Sequence, residues 1–161
     1  MMELNTDIFR LFDQRWALLT AGKGGDFNSM TVSWGSLGTL WGMSAATVYV
    51  RTSRYTHEFM DREDWFTLSF FPEECRDRLL LLGTKSGREM DKMAGSGLDA
   101  YELPHGIAYR QAELTLVCRK LYMQRLEPAR MPKELAARLY SADAPHDMYI
   151  GEVTDLIPGG K

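Results

Sequence analysis

Asn28-Ser29-Met30-Thr31-Val32-Ser33-Trp34-Gly35 is the stretch whose reading decides the fold. Taken as a strand, it places successive side chains on opposite faces. Met30, Val32 and Trp34 form one side, suited to a core. Thr31, Ser33 and Gly35 form the other, a row of small groups with two hydroxyls. A flat heterocycle can lie against such a face and hydrogen-bond to it. A half-buried strand with solvent on its polar side shows the same alternation, so both readings stay open from this stretch alone.

Working outward, Trp16 to Ala21 reads as a strand, and Gly22-Lys23-Gly24-Gly25-Asp26 as the turn that leads into Asn28–Trp34. Those glycines are not a dinucleotide fingerprint, because GxGxxG must open a helix and here a strand follows. Upstream, Asn5 to Gln14 reads as a short helix with Ile8, Phe9, Leu11 and Phe12 on its apolar side. Downstream, Ser36 to Ser44 reads as a loop or broken strand, and Ala45 to Arg51 as the next strand, with Thr47, Tyr49 and Arg51 on one face.

Arg51-Thr52-Ser53-Arg54-Tyr55-Thr56 then connects that strand to a helix near Thr56 to Arg62. A strand, a polar loop and a helix start make an anion site. The first helical N–H groups lack partners and the helix dipole favours negative charge there. Arg51 and Arg54 add forked donors that match phosphate. A solvated arginine pair beside a helix cap fits the same residues. His57-Glu58-Phe59-Met60-Asp61 falls short of HExxH by its last residue, so no metal is expected.

Trp65 to Phe71 is a further strand. Pro72 opens a helix with Cys75, Leu79 and Leu82 inward and Gly83 at its end. Ser86 and Glu89 have capping-box spacing, which predicts a helix with Met90, Met93 and Ala94 on its core side, carrying Lys85, Arg88 and Lys92 on its first turns. A capped surface helix with charges in water is the plain alternative. Ile107 to Ala112 is expected to be extended, Glu113 to Leu126 to be one bent strand or two, and Pro132 to Tyr140 to be helical with Leu135 and Leu139 inward. Asp147 to Val153 is the last strand, with His146 just ahead of it.

The 161 residues suit one domain, or one with an added hairpin. A net charge of −3 argues against a nucleic-acid surface. Cys75 and Cys118 form no CxxC pair and read as reduced thiols of a cytoplasmic protein. The first residues lack the pattern of a signal peptide, and the longest aliphatic run, Leu79 to Leu82, is too short to span a bilayer. Antiparallel strands with helices in the gaps point to a small barrel.

The segments WALLTAG, NSMTVSWG, YVRTSRYTHEF, FTLSFF, SGREMDK, LVCRKLY and HDMYIGEV run in order from Trp16 to Val153. Together they resemble the flavin reductase-like family, the FMN-binding split barrels that include flavoredoxin. The resemblance implies a single domain over residues 1–161, mostly β with flanking helices: a six-stranded antiparallel Greek-key split β-barrel. It implies a homodimer with FMN near the subunit interface, and an NAD(P)H:flavin oxidoreductase that takes NADH or NADPH without a separate dinucleotide domain. Two other readings stand beside this one: an FMN electron carrier serving a protein redox partner, and a non-catalytic flavin-binding module.

By the same resemblance, Asn28, Thr31, Val32, Ser33 and Trp34 would line the ring and ribityl chain. Arg51, Ser53, Arg54, Tyr55 and Thr56 would hold the phosphate end. Ser86, Gly87 and Lys92 would close the site, Lys92 also offering a cation to the ring's N1–C2=O edge. His146 would position the donor or acceptor of hydride. No obligatory acid–base residue is implied. Met43-Ser44, Thr52 and the region from Ser141 to Pro145 depart from the family's pattern.

Overall fold

The computed structural model describes residues Glu3–Gly159. Seven strands form one antiparallel sheet: β1 (Ala17–Lys23), β2 (Asp26–Val32), β3 (Gly35–Leu40), β4 (Met43–Arg51), β5 (Trp65–Phe70), β8 (Leu114–Arg125) and β9 (His146–Pro158). Their spatial order is β2-β1-β5-β8-β9-β4-β3. A separate hairpin, β6 (Ala100–Leu103) with β7 (Gly106–Tyr109), lies outside it. The sheet thus has seven strands where six were expected. The six expected strands are all present, and the seventh is β3.

The stretch expected as a loop or broken strand forms β3, and its reversal lacks the usual Asn-Gly or Asp-Gly. Leu40 pairs with Met43 across Trp41-Gly42, and both turn residues have positive φ (52° and 75°). A two-residue hairpin of the favoured hand needs that geometry at both positions, and tryptophan is a rare choice for it.

Two apolar layers hold the sheet. On one face Phe12, Leu19, Val48, Phe66, Leu68 and Tyr149 pack together. On the other Leu18, Phe71, Leu79, Leu82, Ile107 and Tyr109 form a second cluster beneath the β6–β7 hairpin and a helix. β1 is sandwiched, so all of Ala17 to Gly22 is buried rather than every second residue. Its one polar side chain there, Thr20, closes a ring of hydroxyls with Ser29 and Tyr109 at 2.6 to 3.0 Å. That satisfies groups which would otherwise be costly to bury.

The helices are α1 (Ile8–Arg10), α2 (Tyr55–Arg62), α3 (Arg76–Thr84), α4 (Lys92–Ser96) and α5 (Lys133–Tyr140). α1 is one turn, capped by the Asp7 carboxylate, and widens into a π turn over Leu11–Arg15. This buries Leu11 and Phe12 but leaves Phe9 88% exposed, against the expected apolar face. α3 continues through Gly83 to Thr84 instead of stopping there.

The helix expected from Ser86 begins later, at Lys92, with Asp91 as its cap. The Asp91 carboxylate accepts from Met93 N and Ala94 N, and a charged cap aligned with two donors outcompetes the Ser86–Glu89 box. Met90 and Ala94 are consequently exposed. Gly97, with φ 68°, ends α4. Leu135 and Leu139 of α5 are half-buried, and nothing on that helix is fully buried. No helix among the described residues is long and apolar enough to cross a membrane.

The sheet's two edge strands, β2 and β3, are joined by Ser33-Trp34. β2 approaches β4 without pairing to it. The opening between those strands leads directly into a groove.

Candidate functional site

The groove has two adjoining parts. The first, of about 200 Å³, is lined by Thr31 and Val32 of β2, by Ser33 and Trp34 of the link, by Tyr49 and Arg51 of β4, and by His146 of β9. The second, of about 160 Å³, runs between two walls. Ser53, Arg54, Tyr55 and Thr56 form one wall; Thr84, Lys85, Ser86, Gly87 and Lys92 form the other. Arg54 lines both parts and so marks their junction. The two cationic turns and the stretch carrying Thr31 and Ser33, read separately from the sequence, line adjoining parts of one groove.

Arg54 precedes the first residue of α2 and offers that helix no side-chain cap. Its Nη1 donates to Gly83 O at 2.8 Å, while Nη2 is buried without a partner. Burial lowers its pKa. Lys92, the first residue of α4, is only 3% exposed, and its Nζ donates to Leu82 O at 3.2 Å. Burial first, and Arg54 second, bring its pKa down to about 8. Each cation therefore donates to a carbonyl and not to a carboxylate. A buried ammonium beside a half-buried guanidinium, without a counter-charge, is unfavourable until an anion joins them. The uncapped N-terminus of α2 adds donors and a dipole of the same sign.

Gly87 completes this wall by backbone alone. A Cβ there would sit 2.4 Å from Asn28 Oδ1 and 2.9 Å from Tyr55 Cδ1. Any side chain would push the loop off its opposite wall.

The first part of the groove is built differently. His146 is 6% exposed, and its Nδ1 pairs with Tyr140 Oη at 2.9 Å. Burial, then Arg51, push its pKa down to about 4, so the ring is neutral at pH 7. Burial also raises the pKa of Tyr140. The Trp34 ring lies 4.9 Å from the His146 ring, tilted by 45°. Arg51 is drawn away from the second part: it donates to Ala144 O at 2.9 Å, lies 3.7 Å from Asp143 Oδ2 and stands over Tyr140.

The expected site residues separate accordingly. Ser53, Arg54, Tyr55, Thr56, Ser86, Gly87 and Lys92 come together in the second part. Thr31, Val32, Ser33, Trp34, Arg51 and His146 come together in the first. Arg51 had been grouped with the loop after it, but it shares a face with Tyr49 and ends up beside His146. Lys92 had been offered to the ring as well, yet it lies with Ser53–Thr56.

The hydroxyl-bearing face of β2 is not an open shelf. α3 covers it, and Thr31 Oγ1 donates to Leu79 O at 2.5 Å. The space beside Gly35 is filled by Phe12, whose ring a Cβ would meet at 2.4 Å. Trp34, expected on the core side, is 43% exposed because β2 ends at Val32. Asn28 lines neither part; its Nδ2 donates to Thr56 Oγ1 at 2.7 Å and so ties β2 to the start of α2. Tyr49 was missed as a lining residue, although its place two positions before Arg51 on the same face was the signal.

Next to the groove, His57 Nε2 pairs with Asp147 Oδ2 at 2.7 Å, and Arg125 donates to both Asp147 oxygens at 2.8 and 3.1 Å. Burial would raise the Asp147 pKa, but hydrogen bonds from Arg125 and His57 bring it below the usual carboxylate range. Tyr149 Oη donates to Asp61 at 2.6 Å, and Asp61 lies 3.5 Å from His57 Nδ1. His57, Asp61 and Asp147 could gather around an ion, but here they satisfy one another and Arg125. The network fixes β9 against α2, with Asp147 on one side of β9 and His146 on the other.

The flavin reductase like domain model matches residues 9–160, and the chain belongs to that family. No match is found among curated proteins. Among solved structures, an FMN-binding protein from Thermus thermophilus is similar at a TM-score of 0.72 and 17% identity, over 98% of this chain and 79% of that one. Flavoredoxin from Methanosarcina acetivorans gives 0.69 and 21%, over 98% and 75%. An NADH:FAD oxidoreductase from Streptomyces globisporus gives 0.68 and 14%, over 89% and 74%. At these identities the likeness is one of fold.

Proposed function

We propose that the chain is an FMN-binding oxidoreductase that passes hydride or electrons between NAD(P)H and flavin. One observation carries the reading: the buried, unpartnered Nη2 of Arg54, beside Lys92, at the junction of the two parts of the groove. A ligand that satisfies it must carry an anion at one end and fill a flatter, less charged space at the other. A phosphorylated flavin has that form.

In this reading the phosphate lies with Arg54, Lys92, the hydroxyls of Ser53, Thr56 and Ser86, and the Gly87 backbone. The ring lies along Val32, Ser33 and Trp34, facing Tyr49 and His146. Bound FMN would supply the chemistry of accepting and releasing hydride or electrons, which no side chain can provide. The chain's own residues do the rest. Arg54 and Lys92 bind the dianion by charge-assisted bonds. Trp34 shields the ring end from water. His146, neutral and held through Nδ1 by Tyr140, has Nε2 left to orient a second ligand. None of them is required to move a proton.

The test is to load the protein with FMN and add NADH or NADPH without oxygen. Loss of the yellow absorbance with either nucleotide is the expected result. FMN-loaded protein that neither nucleotide reduces would overturn the enzyme reading. The likeness to flavoredoxin favours a second one, an FMN carrier reduced slowly by nicotinamide and rapidly by a protein redox partner.

We also propose a homodimer. The edge strand β3 carries no charge and no proline to protect it. Trp41, Tyr122 and Met123 are exposed nearby at 60%, 40% and 48%. An apolar hollow lined by Leu37, Ala45, Leu116, Val153 and Leu156 opens beside it. A second copy would cover these surfaces, and sedimentation at a monomer's mass would contradict it. The two buried free thiols fit a cytoplasmic setting.

A further inference from the structure

Arg88 lines neither part of the groove, yet its side chain crosses between the groove's two walls. It belongs to the segment from Lys85 to Asp91, which pairs with no strand. Arg88 Nη1 donates to Ser53 O at 3.2 Å, and Nη2 contacts Glu58 Oε1 of α2. Its guanidinium lies 5.0 Å from the centre of the Tyr55 ring. Tyr55 is in turn braced edge-on by the buried Phe59 at 5.1 Å, so Arg88 lands on a rigid platform.

Ser86 and Gly87, just before Arg88 in the chain, and Lys92 line the wall from which it reaches. Its remaining support is local: Arg88 N donates to Ser86 Oγ, and Glu89 N and Met90 N donate to Ser86 O. We propose that Arg88 is a positioning residue: a strap that holds the Ser86–Gly87 wall against α2 and thereby sets how long a phosphorylated ligand stays bound. The inference rests on the FMN reading above and deepens it. It bears on whether flavin is kept through many turnovers or exchanged.

The strap is made of exposed contacts. Arg88 and Glu58 side chains are 46% and 55% accessible. Such pairs add little to global stability, so removing one should loosen the wall without unfolding the sheet. The energy that matters is the difference between a closed and an open wall. An exposed cation–π contact plus an exposed ion pair favours closure by about one order of magnitude.

The experiment is stopped-flow and displacement kinetics of FMN on the full chain. Arg88→Ala should raise the FMN dissociation rate about tenfold and leave the association rate within about twofold. Glu58→Gln should raise dissociation by about threefold, and adding it to Arg88→Ala should do nothing further. Dissociation should quicken with salt in both proteins, because the phosphate contacts are screened too, but less steeply in Arg88→Ala, which lacks the exposed Arg88–Glu58 pair. The melting temperature of the ligand-free variants should match wild type, which separates a strap from a fold-wide defect. Dissociation at the wild-type rate in both Arg88→Ala and Arg88→Lys would overturn the strap, as would a loss of affinity through association alone. Wild-type protein that takes up no FMN would instead overturn the flavin reading.

Discussion

The two ends of the groove solve opposite electrostatic problems. At the α2–α4 end, buried Lys92 and half-buried Arg54, whose Nη2 is buried without a partner, have unmet charge, and the helix between the turns is uncapped. At the β4–β9 end, Arg51 and His146 already have partners: Arg51 has Ala144 O and Asp143, and His146 has Tyr140 and is neutral. Unmet charge marks the place where a ligand's own charge must go. Satisfied polar groups beside an aromatic ring mark a place for an uncharged, flat part of the ligand. The difference teaches that one molecule with two dissimilar ends explains the whole groove better than two separate ligands.

The strongest way to break that contrast is to remove one arginine from each end. Arg54→Ala should weaken FMN by ~1.5–3 kcal/mol, the worth of a charge-assisted hydrogen bond. Riboflavin, lacking the phosphate, should lose less than about threefold. Arg51→Ala should affect the two flavins equally. Calorimetric titration of both variants with both ligands checks this, and equal losses for FMN and riboflavin in Arg54→Ala would erase the distinction.

Acid should expose the neutral end. The pKa of His146 is about 4 in the folded chain, below its ordinary value of 6.5. Between those values the unfolded chain holds a proton that the folded one refuses. Stability from this site is therefore complete above pH 6.5 and falls by about 1.4 kcal/mol per pH unit as pH drops towards 4. Denaturant midpoints across that range should show the slope, and His146→Phe should flatten it.

Alkali should expose the charged end. Lys92 titrates near pH 8 in the ligand-free protein, and a bound dianion must raise that value. FMN affinity should be level up to about pH 8, then fall by up to about tenfold per unit as binding has to restore the proton. Lys92→Met should bind more weakly at pH 7 with that dependence gone. The smallest effect belongs to Thr31→Val, which removes the bond to Leu79 O. It should cost about 1 kcal/mol of folding stability and leave the ratio of FMN to riboflavin affinity unchanged.

Much of this was legible in the chain. Alternation marked β2 and β4, and short apolar or β-branched runs marked β1, β5, β8 and β9; β1 and β5 are buried nearly throughout and show no period of two. At β3 the sequence leaves loop and broken strand open, because GSLGTL has little apolar signal and the turn uses Trp41. Around β2 it gave the right face for Met30 and Val32 but ran two residues too far, to Trp34. The chain turns at Ser33 to start a new edge, and only the three-dimensional arrangement of β3 dictates that.

The site divided along the same line. The loop-to-helix pattern at Ser53–Thr56 is local, and the outward donors of its helix start could be read from backbone physics. Arg51 and Arg54 look equivalent in sequence. One ends a strand facing β9 and the other stands just before α2 without capping it, and that difference of neighbours leaves only Arg54 with a buried nitrogen, Nη2, that has no partner. The spacing of Ser86 and Glu89 misplaced α4 because it ignored the stronger carboxylate cap at Asp91. The loss of Thr31's hydroxyl to α3 is tertiary, since nothing near Thr31 in sequence announces Leu79.

The central claim is that the Arg54–Lys92 end is built for the phosphate of a flavin. Titrating ligand-free wild-type protein with FMN and with riboflavin at pH 7 tests it most directly. The account predicts FMN binding at least about tenfold tighter than riboflavin, the difference one charge-assisted contact provides. Equal affinities for the two would contradict it.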